Sequence, residues 1–190
     1  MIVLASSSPY RRELLSRILG SFECMAPPDD EEDRPDEAPP ARSLRLARLK
    51  ARRIAERHPE ATVIGSDQVA VLEGRVCPKP GDRQRAIDQL LAARGLPMRF
   101  LTSVCVIHGA GAEERVHTDV TEVRFRQFDR ALAERYVDVD RPWNCAGGFK
   151  AEGSGVVLFD HIESRDPTGL IGLPLIWLAA TLEDLGLTLL

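Results

Sequence analysis

Cysteine is scarce in this chain: Cys24, Cys77, Cys105 and Cys145 are the four present. They are widely spaced and form no C-x-x-C pair, so neither a disulfide framework nor a zinc ribbon is indicated, and a reducing cytoplasm fits. No apolar run approaches the ~20 residues that span a bilayer. The opening stretch 2–5 has no basic segment before it and is too short for the apolar part of a secretory signal, while the stretch 170–180 is interrupted by Pro174. An excess of positive charge is also missing. The net charge of -4 argues against nonspecific binding to long nucleic acid, which needs a basic surface to displace phosphate counterions. His58, His108, His117 and His161 show neither H-x-x-x-H nor H-x-x-E-H spacing, which argues against a zinc hydrolase, and the Walker pattern is absent.

Hydrophobic residues make up 44% and charged residues 28%, a globular balance for a chain that folds on its own. A length of 190 residues allows either one large core or two small lobes on a shared sheet. Residues 2–5 read as a strand. Ser8-Pro9 then caps a helix whose apolar positions Leu14, Leu15, Ile18 and Leu19 recur at helical spacing up to Gly20. A short strand is expected over 22–26 and an acidic loop over 29–37. The next helix, over 43–58, is made strongly basic by Arg42, Arg45, Arg48, Lys50, Arg52, Arg53 and Arg57, and the acidic loop can neutralise it.

The β-branched run 62–65 delivers Ser66-Asp67-Gln68 to a strand end, with a further strand over 69–72 turning at Glu73-Gly74. A helix over 82–94 ends at Gly95, and strand-like runs follow over 100–107 and 116–125. Asp129 caps another helix, 144–150 is a glycine-rich turn, 155–159 reads as a strand and 174–185 as a closing apolar helix.

The segment from Ser6 to Arg12 has the parts of an anion site: backbone N–H groups at a helix start, hydroxyls beside them, and the Arg11 and Arg12 guanidiniums. Taken alone it also fits an ordinary capped helix with surface arginines. Asp67 at a strand end suits a catalytic carboxylate or a simple turn cap. Lys50 and Lys79 suit phosphate binding or plain solvated surface. Lys150 and Glu152 stand two apart in a glycine-bounded segment, followed by Asp160, Glu163 and Asp166. Cys145 beside Asn144 suits a thiol nucleophile less well than a small buried hydrophobe. Together these carboxylates and cations are what phosphoanhydride hydrolysis requires: oxygen ligands for Mg²⁺ or Mn²⁺, a base for water, and positive charge for the leaving group.

Read in order, Leu4-Ala-Ser-Ser-Ser-Pro-Tyr-Arg-Arg12, Ile64-Gly-Ser-Asp-Gln68, Lys79-Pro, Cys145-Ala-Gly-Gly-Phe-Lys150, Glu152-Gly and Gly172-Leu-Pro-Leu resemble the Maf (septum-formation-inhibitor) family across nearly the whole chain. The resemblance implies an α/β fold similar to that of inosine triphosphatase-like enzymes: an elongated, two-lobed mixed sheet with flanking helices, forming a single Maf-type domain over 1–190 with a nucleotide cleft, often dimeric. It implies a nucleoside triphosphate pyrophosphatase in which Asp67 is the proton acceptor. Residues matching Ser8, Arg11, Arg12, Glu31, Lys50 and Lys79 then line the phosphate and metal site, with Glu31, and Asp67 itself, as ligands of Mg²⁺ or Mn²⁺. Lys150, Glu152 and Asp160 fall in further matching segments. The stretch departs from the family pattern at Asp29, where an apolar residue commonly stands, and at Thr168-Gly169.

Members that prefer dTTP and UTP carry arginine, threonine and glutamine where this chain has Tyr10, Gln68 and Glu152, and the set here resembles that of the 7-methyl-GTP pyrophosphatases. A methylated guanine is cationic. Tyr10 can stack on it, and the Glu152 carboxylate can accept from the two adjacent N–H donors on guanine's pairing edge. The alternatives are a pyrimidine-preferring pyrophosphatase and a nucleotide-binding regulator of cell division.

Overall fold

A computed structural model describes residues 1–27, 34–109 and 113–190. Among these, seven strands form one mixed sheet: β1 (Ile2–Ala5), β2 (Glu23–Cys24), β3 (Thr62–Leu72), β4 (Arg75–Cys77), β5 (Pro97–His108), β6 (Glu113–Phe125) and β7 (Phe159–Glu163). The order is β2-β1-β3-β5-β6-β7, with β4 paired to β3. β1 is parallel to β2 and β3, whereas β3–β4 and β6–β7 are antiparallel. No helix of the described residues is long and apolar enough to cross a membrane.

The chain divides into two compact units. One comprises Met1–Gln68, Thr102–Asp119 and Asp166–Leu190, the other Val69–Leu101 and Val120–Arg165. In the first, successive strand side chains point to opposite faces. Leu4, Ile64, Val104 and Val106 face a core closed by α1 (Pro9–Leu15) and α6 (Leu175–Asp184). Val3, Ala5, Val63, Cys105 and Ile107 face the other, closed by Ala47, Ala51 and Ile54 of α2 (Pro39–Ala55). The strands are apolar on both sides because both sides are covered.

In the second unit α3 (Arg83–Ala93) and α4 (Arg130–Asp140) are capped by Asp82 and Asp129, as their sequences indicate. Phe100, Phe125, Phe149 and Phe159 cluster edge to face, the Phe149 and Phe159 ring centroids being 4.7 Å apart.

Several elements differ from the sequence expectation. α2 begins at Pro39, earlier than residue 43, because proline is tolerated in a first turn whose N–H groups lack helical partners. α1 ends at Leu15, and the chain tightens through Arg17 N–Leu14 O and Ile18 N–Leu15 O bonds, which still buries Leu19. Residues 62–72 form one strand, so Asp67 lies within β3 and not at a strand end. The strand expected over 155–159 is a 3₁₀ turn, Ser154–Leu158, followed by β7. There a Cβ on Gly155 would sit 2.4 Å from the Lys150 carbonyl oxygen, so the chain coils where its valines favour extension. A short helix, α5 (Pro167–Ile171), precedes α6.

Candidate active site

In the first unit the chain leaves β1 through Ser6, whose Oγ accepts from Ser8 N at 3.1 Å. Ser8 caps α1, its Oγ accepting from Arg11 N at 3.4 Å. The first turn of α1 therefore displays Tyr10, Arg11 and Arg12. Arg11 Nε donates to the Gly172 carbonyl at 2.9 Å. Ser66 Oγ, on β3, donates to the same carbonyl at 3.0 Å. Gly172 has φ near +130°, open to glycine and strained for other residues, and so one carbonyl ties α1 to the residue before Asp67. The Arg12 side chain is exposed and makes no hydrogen bond or ion pair among the described residues.

Asp67 and Lys50 are brought together by the packing of α2 on β3. A Cβ on Gly65 would stand 2.4 Å from the Ala47 carbonyl oxygen and 2.7 Å from the Ala51 nitrogen, so only a glycine lets the helix backbone approach this closely. Lys50 lies in that same turn of α2. Its Nζ donates to Asp67 Oδ1 at 2.6 Å, with side-chain exposures of 16% and 11%. A charge pair so far withdrawn from water interacts more strongly than a surface pair and is screened less. Asp67 Oδ2 takes no hydrogen bond among the described residues.

Gln68 is half-buried. Its Nε2 faces Thr102 Oγ1 at 3.0 Å and the carbonyls of Gly169 and Leu170 at 3.1 and 2.9 Å. Carbonyls only accept, which fixes the amide orientation and turns Oε1 away from α5. Asp166 knots this region together. Its Oδ1 accepts from Thr168 N and Oγ1, and its Oδ2 from Ile176 N at 2.7 Å, while Thr168 Oγ1 accepts from Leu175 N at 2.8 Å. Thus Asp166, read from sequence as part of an acidic cluster, is a buried structural group. Thr102 carries no sequence signal, whereas Ser66 and Gly172 lie in quoted motifs and Thr168 in a stretch that departs from the family pattern.

The second unit holds the other expected site residues. Lys79 is exposed, and its loop is anchored by Gln89 Nε2 donating to the Pro78 carbonyl at 2.8 Å. Lys150 is half-buried and follows Gly147 and Gly148, both with φ of +73°. Glu152 is exposed, and neither it nor Lys79 has a side-chain partner among the described residues. Asp160 and Glu163 lie on the exposed strand β7. Glu31 lies outside the described residues. Among those described, no group of three or more His, Cys, Asp and Glu could hold a metal ion. A single carboxylate is still enough for Mg²⁺, which commonly takes one or two carboxylates together with substrate phosphates and water, so Asp67 fits such an ion.

A family model described as Maf-like protein matches residues 1–185. The 7-methyl-GTP pyrophosphatase of Alcanivorax borkumensis is 48% identical over 188 residues, covering 99% of this chain and 95% of that one. The 7-methyl-GTP pyrophosphatase of Xanthomonas oryzae pv. oryzae is 49% identical over 186 residues, covering 97% and 96%. That of Pseudomonas syringae pv. syringae is 46% identical over 187 residues, covering 98% and 97%. The solved structure of the Staphylococcus aureus Ham1 protein aligns with a TM-score of 0.54 over 96% of this chain and 98% of that one at 15% identity, a likeness of fold.

Proposed function

The chain belongs to the Maf-like protein family, and from that premise we propose that it is a nucleoside triphosphate pyrophosphatase hydrolysing 7-methyl-GTP to 7-methyl-GMP and pyrophosphate. The observation that carries the chemistry is the withdrawn Lys50–Asp67 pair, 2.6 Å apart, beside a carbonyl shared by Arg11 and Ser66. It puts a carboxylate and a cation at one place and ties a guanidinium to the neighbouring strand residue.

Asp67 orients a water and takes its proton as the oxygen attacks the α-phosphorus in line. The new bond is water oxygen to phosphorus, and the bond broken is that from the α-phosphorus to the bridging oxygen, which leaves with pyrophosphate. Lys50 neutralises Asp67 in the resting protein. Entering phosphate oxygens compete for the ammonium and free the carboxylate for water. Arg11, Arg12, Lys50 and Lys79 stabilise the departing charge, with Lys150 a further cation for the substrate. Ser8 contributes as the cap that sets the first turn of α1. Asp67, with Glu31, would hold Mg²⁺ or Mn²⁺, which supplies charge neutralisation at the phosphates.

Base selection rests on Tyr10, Gln68 and Glu152. Tyr10 offers a ring face to the cationic methylated base and Glu152 two acceptors to its pairing edge. Gln68 has the reach to hold Gly169 and Leu170 by their carbonyls, which threonine at this position lacks. A homodimer and a cytoplasmic location belong to the same reading; sedimentation of the purified chain checks the first and cell fractionation the second.

The test is pyrophosphate release from 7-methyl-GTP, GTP, dTTP, UTP and CTP by wild type and Asp67→Asn, with Mg²⁺ and with EDTA. Metal-dependent preference for 7-methyl-GTP is expected, with turnover lowered on the order of a hundredfold or more in the variant. Preference for dTTP or UTP would keep the mechanism and reject the base assignment. Full turnover by Asp67→Asn would remove that residue from its role.

A further inference from the structure

Glu152 is exposed and without a side-chain partner among the described residues, so whatever direction its carboxylate has must come from the backbone that carries it. That backbone is a tight turn in which Gly153 N meets the Lys150 carbonyl at 3.4 Å. Both flanks of the turn are held by one end of α4. On the leading side, Lys150 N donates to the hydroxyl of Tyr136, a residue only 3% exposed, at 2.9 Å. On the trailing side, Ser154 N donates to Asp140 Oδ2 at 2.8 Å. Tyr136 and Asp140 are four apart and so lie on one helix face.

The fit is close as well as bonded. A Cβ on Gly153 would come within 2.6 Å of Asp140 Oδ2, and one on Gly155 within 2.4 Å of the Lys150 carbonyl oxygen. Burial, and then the neighbouring Asp140 charge, push the Tyr136 hydroxyl up from its ordinary value, against the opposing effect of the Lys150 N–H bond, so it stays protonated and can bridge the Lys150 amide and the carboxylate.

We propose that Tyr136 and Asp140 are positioning residues for base recognition: the end of α4 clamps the Lys150–Ser154 turn at both flanks and thereby aims Glu152. This rests on the reading of Glu152 as the residue that selects the base. The clamp has two consequences. Loss of either anchor leaves a backbone N–H unpaired and lets the turn sample other geometries. The loss is felt in the choice between bases, because that choice depends on the direction of one carboxylate.

The experiment measures kcat and KM over the five-nucleotide panel for wild type, Glu152→Gln, Tyr136→Phe, Asp140→Ala, Asp140→Asn and the Tyr136→Phe/Glu152→Gln double variant, with thermal midpoints for each. Tyr136→Phe keeps the ring in the core and removes only the hydroxyl. It should lower the preference for the favoured base by about fivefold, the worth of one hydrogen bond. Its profile across the panel should move in the same direction as that of Glu152→Gln. The double variant should show no further change in preference, since the clamp acts through Glu152. Asp140→Asn retains an oxygen acceptor for Ser154 N and should lie closer to wild type than Asp140→Ala.

If Glu152→Gln alters the profile while Tyr136→Phe and Asp140→Ala only lower the thermal midpoint, the clamp is a stability feature and the inference is overturned. A profile that no variant changes, Glu152→Gln included, overturns it as well. A wild type that favours a base other than 7-methylguanine rejects the substrate reading alone, because the comparison of variants holds for whichever base is preferred.

Discussion

Lys50 has two roles open to it, as a cation for substrate phosphates and as the counter-ion that allows Asp67 to sit 8% exposed in β3. The roles separate in a double substitution. Lys50→Met leaves a withdrawn carboxylate without its partner and should cost roughly 2–3 kcal/mol, somewhat under the value for a fully buried pair. At this chain length that corresponds to a fall of roughly 5–10 °C in the thermal midpoint. Adding Asp67→Asn removes the stranded charge, so the double variant should regain most of that midpoint while releasing no pyrophosphate. A double variant as unstable as Lys50→Met alone would mean the lysine stabilises through its packing and not through Asp67. Arg12 provides the contrast: exposed and unpartnered among the described residues, it should lose substrate affinity on truncation to alanine with the midpoint unchanged.

The packing of α2 on β3 is what turns two distant residues into a pair, and Gly65 is its narrowest point. In Gly65→Ala the new methyl would meet backbone atoms at 2.4 and 2.7 Å, which cannot rotate away, so the helix must shift. A cost of ~3 kcal/mol is expected for such overpacking. A displacement near 1 Å would lower turnover about a hundredfold even in the folded fraction. Gly20→Ala, where the methyl meets nothing within 4 Å, is the matched control and should leave both unchanged. Circular dichroism melts and turnover at a temperature where both variants remain folded would check this, and an active, stable Gly65→Ala would show that α2 has slack. The sequence makes the capped helices legible because their signals are local: Ser8, Asp82 and Asp129 each announce a helix start. It leaves Thr102 silent and does not reveal the structural roles of Gly65 and Asp166, since Gly65 meets Ala47 and Ala51, and Asp166 meets Ile176 N, only once the helices are packed. The 3₁₀ turn over Ser154–Leu158 is hidden by a local contact, its valines favouring extension until the Lys150 carbonyl closes over Gly155. Asp67 stands out in the sequence only through its place in a family motif. Its position within a continuous strand is not legible there, because β3 continues through Ser66-Asp67-Gln68 without a turn residue.

Among the described residues much of the charge is paired, and a basic helix in a chain of net charge -4 shows how. Arg45 forks onto Glu37 at 2.7 Å, and Arg48 and Arg52 share Glu114 at 2.8 Å. The Arg45 hydrogen bond pulls Glu37 below its ordinary value of 4.5. At Glu114 burial pushes upward, but the Arg52 hydrogen bond and the Arg52 and Arg48 charges outweigh it, so its value is lowered too. In the second unit, Arg83 does the same to Asp138. Each carboxylate is thus a stronger acid folded than unfolded. Well above pH 4.5 both states are ionised and the pairs contribute fully. As pH falls the unfolded chain takes up protons first, and the contribution is lost through the folded values below 4.5. The thermal midpoint should therefore hold steady from neutrality toward pH 5 and decline below it. Glu114→Gln should start lower at pH 7 and decline less, the two curves converging in acid. Repeating the series in 1 M salt should shrink the gap at pH 7, since the Arg48 and Arg52 pairs with Glu114 reach solvent and are screened. Parallel curves for wild type and variant down to pH 3 would show that the arginines of α2 gain nothing from Glu114, and that the helix is held by its other contacts, among them the packing of Ala47, Ala51 and Ile54.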